Sequence, residues 1–158
     1  MKTLILYASK YGAAKEIANR IADKIGEGTV CDLKQSNIPT LLDFDCIIIG
    51  SSLYAGSIRT EAKAFVNKYA DELSKKHCGL FLSGFAENDD YYAKNFPLIV
   101  LQSAKARAFL GGVFDPKKAS WIERFIIKIV MKKAEYVESI DNDKIDAFVS
   151  EIKKAHGD

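Results

Sequence analysis

Apolar residues along the chain fall into two alternating patterns. Short continuous runs predict strands, and apolar residues recurring every three or four positions predict helices. Thr3-Leu4-Ile5-Leu6-Tyr7 is the first run. From Ala14 the spacing of Ile17, Ala18, Ile21 and Ile25 predicts a helix that Gly26 and Gly28 end. Thr29 to Leu33 reads as a short, less apolar edge strand, and Ile38 to Leu42, with Pro39, as a turn or one helical turn. Phe44 to Gly50 is the most continuous strand-like run, as a parallel strand covered on both faces requires. A loop over Ser51 to Ser57 then leads to Ile58, Ala62, Phe65, Val66, Tyr69 and Leu73, an amphipathic helix.

Cys78 to Ser83 predicts a fourth strand, with a third loop starting at Gly84. Tyr91 to Gln102 reads as helix, which Pro97 must kink or open. The fifth strand is expected over Arg107 to Val113. Ser120 and Glu123 have capping-box spacing and open a helix to about Lys133. Asp141 is a candidate cap for a last helix with Ile145, Phe148, Val149 and Ile152 on its apolar face. Strands alternating with helices imply an α/β three-layer sandwich: a five-stranded parallel sheet with helices on both faces. The order 2-1-3-4-5 follows, with a ligand crevice beyond the carboxyl ends of the strands.

That geometry ranks the loops. Ser9-Lys10-Tyr11-Gly12-Ala13-Ala14 runs from the first strand onto a helix N-terminus, whose free amides and dipole suit a phosphate. Taken alone, it is also an ordinary strand-to-helix turn. After the third strand come Ser51, Ser52, Leu53, Tyr54, Ala55 and Gly56; after the fourth, Ser83, Gly84, Phe85 and Ala86. Each brings an aromatic that can lie flat on a planar ring, beside a glycine that admits close backbone approach. Either aromatic singly would be read as packing against the sheet. Together the three loops describe a pocket for a flat ring system with a monophosphate tail, which is flavin mononucleotide (FMN).

Composition narrows the alternatives. The chain has 158 residues, 48% hydrophobic and 28% charged, which suits a single globular domain over 1–158. A formal net charge of +2 is too mild to imply a nucleic-acid partner. No apolar run is long enough to span a bilayer, and no cleavable leader is read at Met1, so a cytoplasmic location is expected. Cys31, Cys46 and Cys78 are far apart and the histidines are only His77 and His156, so no metal ligand set is expected. The phosphate-loop signature with its Gly-Lys-Ser/Thr end is absent, as is G-x-G-x-x-G after the first strand. A phospho-acceptor domain would need acids where Ala8-Ser9-Lys10 and Gly50-Ser51-Ser52 stand.

Met1 to Gly12, Ile47 to Gly56 and the order of elements resemble a flavodoxin over nearly the whole chain. The start Met1 to Leu6, the segment Ile49 to Gly56, and above all Trp121 to Lys132 look more like the flavodoxin-type, menaquinone-dependent protoporphyrinogen oxidases than like short electron carriers. The resemblance implies noncovalent FMN, with Ser9 to Ala14 around the phosphate and Tyr54 and Ser83 to Ala86 flanking the isoalloxazine. Ala13-Ala14 depart from the family, whose phosphate loop ends in Thr, and leave Ser9 and backbone amides to hold the phosphate. The loop after the fourth strand departs too, with Glu87, Asn88, Asp89 and Asp90 at its start, shorter and less basic than in those oxidases.

Three functions stay open: electron carriage to a partner protein, oxidation of a porphyrinogen with electrons passed to a quinone, and a cofactor-free interaction module. No side chain is an evident acid or base. Gly56 is the position at which a neighbouring peptide could turn to accept a hydrogen bond from reduced flavin N5. The Trp121–Lys132 segment has two readings. One is peripheral membrane contact, with Arg124, Lys128 and Lys132 toward anionic headgroups. The other, favoured on sequence, is a core helix whose cations form its solvated face.

Overall fold

The computed structural model describes residues 1–131 and 136–157. Its strands are β1 (Thr3–Ala8), β2 (Gly28–Asp32), β3 (Cys46–Tyr54), β4 (Ser57–Ile58), β5 (His77–Ser83), β6 (Ala104–Phe109), β7 (Val113–Phe114) and β8 (Val137–Glu138). Its helices are α1 (Ala13–Ile25), α2 (Thr60–Lys68), α3 (Ala70–Ser74), α4 (Asp90–Asn95), α5 (Leu98–Ser103), α6 (Trp121–Met131) and α7 (Asn142–His156). Strands β2-β1-β3-β5-β6 form a parallel sheet in that order, with the short β4 antiparallel to β3. This is the predicted 2-1-3-4-5 arrangement, with β4 added to the chain count.

Alternation along the buried strands divides the core. Leu4, Leu6, Ile47, Ile49, Leu80 and Leu82 face one side and pack with Phe65, Leu73, Tyr92 and Val100 of α2 to α5. Ile5, Ile48 and Phe81 face the other and pack with Ile17 and Ile21 of α1 and with Ile145, Phe148 and Ile152 of α7. With both faces covered, the central strands must be apolar throughout, which is why they read as unbroken runs. The Asp141 carboxylate accepts from the Lys144 amide at 3.0 Å, the expected cap of α7.

Five expectations need correction. Ser51 to Tyr54 are not loop but the last part of β3, which turns at Ala55-Gly56 and returns as β4. Polar side chains hid the strand, whereas pairing is made by the backbone. Ile58 accordingly belongs to β4, and the following helix breaks at Tyr69 into α2 and α3. The Tyr91–Gln102 helix is two short helices, because Phe96 before Pro97 is forced into extended geometry (φ −118°, ψ 143°). The strand expected as the fifth is β6, which spans Ala104–Phe109 and not Arg107 to Val113: Gly111-Gly112 turns the chain, and Val113–Phe114 pair with β8 in a separate ribbon. The expected end of α6 at about Lys133, and Lys132 of the basic stripe, lie outside the described residues.

Candidate functional site

The phosphate-type loop is shaped by its own side chains. The Ser9 hydroxyl accepts from the Gly12 amide at 2.9 Å, folding the loop back on itself. Gly12 sits at φ 98°, a left-handed conformation costly for other residues, and its carbonyl starts α1 by accepting from Glu16. The amides of Ala13, Ala14 and Lys15 that follow have no intrahelical acceptor by helix geometry. The Lys10 amide donates to Ser52 Oγ at 3.0 Å, which ties this loop to the end of β3.

The second segment is a two-residue hairpin. Leu53 pairs with Ile58 and Tyr54 with Ser57, and both turn residues have positive φ, 49° at Ala55 and 75° at Gly56. Positive φ at both central positions defines the I′ turn, whose twist matches paired strands. Among the described residues Ala55 is the only non-glycine with positive φ. The hairpin holds Tyr54 about half exposed, while Phe85, after β5, is similarly half exposed.

These segments meet around a cavity of about 600 Å³, within the range of small-molecule sites. Lys10, Tyr11, Ala13, Ser52, Leu53, Tyr54, Ala55, Gly56, Ser83, Gly84, Phe85 and Ala86 line it, twelve of the sixteen residues singled out from sequence. Ser9 and Gly12 shape the adjoining loop without lining the cavity. The side chains of Ala14 and Ser51 are fully buried: Ala14 lies on the core-facing side of α1, and the Ser51 hydroxyl accepts from the Arg59 amide at 2.9 Å and donates to the Ser52 carbonyl.

Other lining residues were not anticipated: Tyr91, Gly112, Val113, Phe114, Glu123, Ile126 and Ile127. Phe114 stands edge-on to Tyr11 at 5.8 Å. Helix α6 forms part of the cavity lining and contributes Glu123, whose carboxylate accepts from Lys10 Nζ. The capping box had assigned Glu123 a helical role only, and that role is present: Oε2 accepts from the Ser120 amide at 2.9 Å, and the Glu123 amide donates to Ser120 Oγ. Lys10 Nζ also lies 3.8 Å from the centre of the Tyr54 ring.

Charge near the loop comes from Lys10, which Glu123 partly offsets, and from Arg59. Burial first, and then the neighbouring positive charge of Arg59, pull the Lys10 ammonium below its ordinary range. Burial raises the Tyr11 phenol, as does Tyr54, while Arg59 opposes them. Arg59 Nε is itself buried with no hydrogen-bond partner among the described residues. Lys10 is already paired with Glu123, so the donors left for a phosphate monoester are the amides at the α1 N-terminus, the remaining N–H groups of Lys10 and, acting at longer range, the Arg59 charge. The wider apolar cavity alongside suits a planar ring.

An open parallel sheet with an aromatic-rimmed crevice beyond its carboxyl ends, beside an anion loop on α1, is the architecture of a nucleotide-type flavin domain. A family model described as a flavodoxin domain matches residues 4–141, and the chain belongs to that family. It is 25% identical over 144 residues to protoporphyrinogen IX dehydrogenase (quinone) of Escherichia coli strain K12, covering 84% of this chain and 80% of the relative. Its fold matches a short-chain flavodoxin associated with a non-canonical PDU bacterial microcompartment: TM-score 0.61, 17% identity, 98% of this chain and 99% of that one. It also matches oxidised flavodoxin 1 from Bacillus cereus: TM-score 0.54, 15% identity, 98% of each chain. No helix among the described residues is long and apolar enough to cross a membrane.

Proposed function

We propose that residues 1–158 act as one domain that binds FMN noncovalently and transfers electrons through it. The observation that carries this reading is the convergence of the three loops on one apolar cavity beside the α1 N-terminus. Bound there, FMN supplies reversible one- and two-electron chemistry. The Ser9–Ala14 loop, with Lys10 and Arg59 near it, holds the phosphate. Tyr54 and Phe85 flank the ring and keep water from its faces, and Ser52 fixes the Lys10 amide so that the loop keeps its shape. No side chain in the cavity is assigned proton transfer.

A quinone acceptor is the second reading, and the exposure of α6 favours it. Trp121, Ile122, Phe125, Ile126 and Ile129 are about half exposed or more on the helix that lines the cavity, which a helix buried in the core would not show. The described cations Arg124 and Lys128 lie on the same helix. Such a helix can rest in the headgroup region of a membrane, where quinones reside. The relative's printed activity, protoporphyrinogen IX dehydrogenation with a quinone, is the corresponding reaction.

The test is an absorption spectrum of the protein mixed with FMN and desalted, followed by anaerobic turnover with protoporphyrinogen and a menaquinone analogue. Retained flavin bands support the cofactor, and porphyrin formation supports the quinone enzyme over the carrier. Colourless protein after desalting overturns the cofactor assignment and leaves the interaction module. Binding to anionic liposomes that is lost on Phe125→Ala supports the membrane contact; binding unchanged by that substitution rejects it.

A further inference from the structure

Among the described residues the cavity lining holds one cation and one anion, Lys10 and Glu123, and they are paired with each other: Glu123 Oε1 accepts from Lys10 Nζ. The two ends of this pair differ in freedom. Glu123 is 8% exposed, its Oε2 accepts from the Ser120 amide at 2.9 Å, and its own amide donates to Ser120 Oγ. The carboxylate therefore cannot swing away without undoing the first turn of α6. Lys10 is held at its backbone, where the amide donates to Ser52 Oγ. Its ammonium lies 3.8 Å from the centre of the Tyr54 ring and 5.3 Å from that of Tyr11, on a long flexible stem whose donors rotate.

A phosphate monoester carries a charge of about −1.5 to −2 at neutral pH. At the α1 N-terminus it meets a lining whose single cation already serves a carboxylate. Charges in a partly dry pocket interact several times more strongly than in water. The ammonium therefore turns toward the incoming anion or bridges it and Glu123. Either response takes counter-charge from Glu123, and a buried carboxylate short of its partner is strongly destabilising. That cost falls on α6, because Glu123 stands in its first turn and caps it at Ser120.

We propose that Glu123 and the anionic end of the ligand compete for the Lys10 ammonium. Glu123 then limits how far the crevice prefers a phosphorylated flavin to an uncharged one, and an anion bound at the loop loosens α6. Glu123 acts through Lys10 and is a positioning residue in this account. The inference rests on the FMN reading above and deepens it, since it names what sets the charge selectivity of that same site. Exposed Trp121, Phe125 and Ile129 ride on α6, so the competition also links loading of the crevice to the freedom of that apolar face.

The experiment titrates the full chain with FMN and with riboflavin, which lacks the phosphate, in the wild type and in Glu123→Gln. The substitution keeps an oxygen for the Ser120 amide but frees Lys10. Comparing the two flavins cancels any loosening of the wall that affects the ring alone. The ratio of FMN to riboflavin affinity should rise at least about fivefold in Glu123→Gln, the lower end of ordinary coupling between sites. A ratio that stays or falls overturns the inference, since a merely structural Glu123 would leave it unmoved. Hydrogen exchange is the second readout. In the wild type the α6 amides should exchange faster with FMN bound than with riboflavin bound, and in Glu123→Gln the two complexes should match. Equal α6 exchange in both wild-type complexes also overturns the inference. A wild-type chain that binds neither flavin overturns the FMN reading as well, whereas binding of both with an unmoved ratio leaves that reading intact.

Discussion

Glu123→Gln isolates what fastens α6 over the cavity. The substitution keeps an oxygen to accept from the Ser120 amide, so the cap of α6 survives, but it removes the negative charge facing Lys10. Glu123 is buried and the Lys10 side chain is about a quarter exposed, so the pair is neither a surface contact nor fully desolvated. Exposed pairs contribute about 0–1 kcal/mol, whereas removing one partner of a buried pair costs about 3–5 kcal/mol. An intermediate pair then contributes about 1–3 kcal/mol, which shifts an open–closed equilibrium about 5- to 150-fold. Hydrogen exchange reads this directly: protection of the α6 amides should fall by that factor, while the β1 and β3 amides keep theirs. The same loss should not recur when Lys10 is already methionine, because the two side chains act as one unit. If protection in α6 is unchanged in Glu123→Gln, or falls equally in the Lys10→Met background, the ion pair does not hold the helix.

Ser9→Ala removes the acceptor of the Gly12 amide, a hydrogen bond that contributes about 0.5–1.5 kcal/mol. FMN affinity should fall about 2- to 12-fold by fluorescence titration while riboflavin, which lacks the phosphate, is bound as before; an equal loss for both ligands would refute the phosphate role. Burial pushes the Cys46 and Cys78 thiols up to about 12 from their ordinary 9.0. The unfolded chain therefore releases these protons first, so the contribution is intact below pH 9 and is lost as pH rises toward 12. The slope is at most about 1.4 kcal/mol per pH unit for each thiol. Urea midpoints should be lower at pH 10.5 than at pH 8, and Cys78→Ala should flatten the difference; an unaltered difference would refute the assignment to the thiols.

Strands β1, β3 and β5 were legible in the sequence because helices cover both faces of the sheet, so every position in Leu4 to Leu6, Ile47 to Ile49 and Leu80 to Leu82 had to be apolar. What escaped lacks such a pattern. Ser51 and Ser52 are strand by backbone pairing alone, and β7 and β8 have two residues each, too few for any periodicity. The width of the apolar face on α6 was visible, but which part of it would be covered depends on where the chain carries that helix. Asn95 had no local signal, since its Gly56 and Ile58 partners come from a hairpin far earlier in the chain.

The residues that fix the crevice share a physical property of a different kind. Among the described residues the buried polar side chains are Thr3, Ser51, Ser52, Ser83, Asn95 and Glu123. Burying a polar group costs free energy unless a partner meets it, so each such residue marks a place where specific hydrogen bonds outweighed a packed apolar alternative. Thr3 opens β1 at the far end of the sheet, whereas the other five stand around the cavity or the hairpin that forms its wall. The apolar pattern thus builds a sheet that could serve many sites. The polar exceptions to it tie the Lys10 loop, the Ala55–Gly56 turn and α6 into one arrangement, and through those ties the sequence specifies a particular crevice.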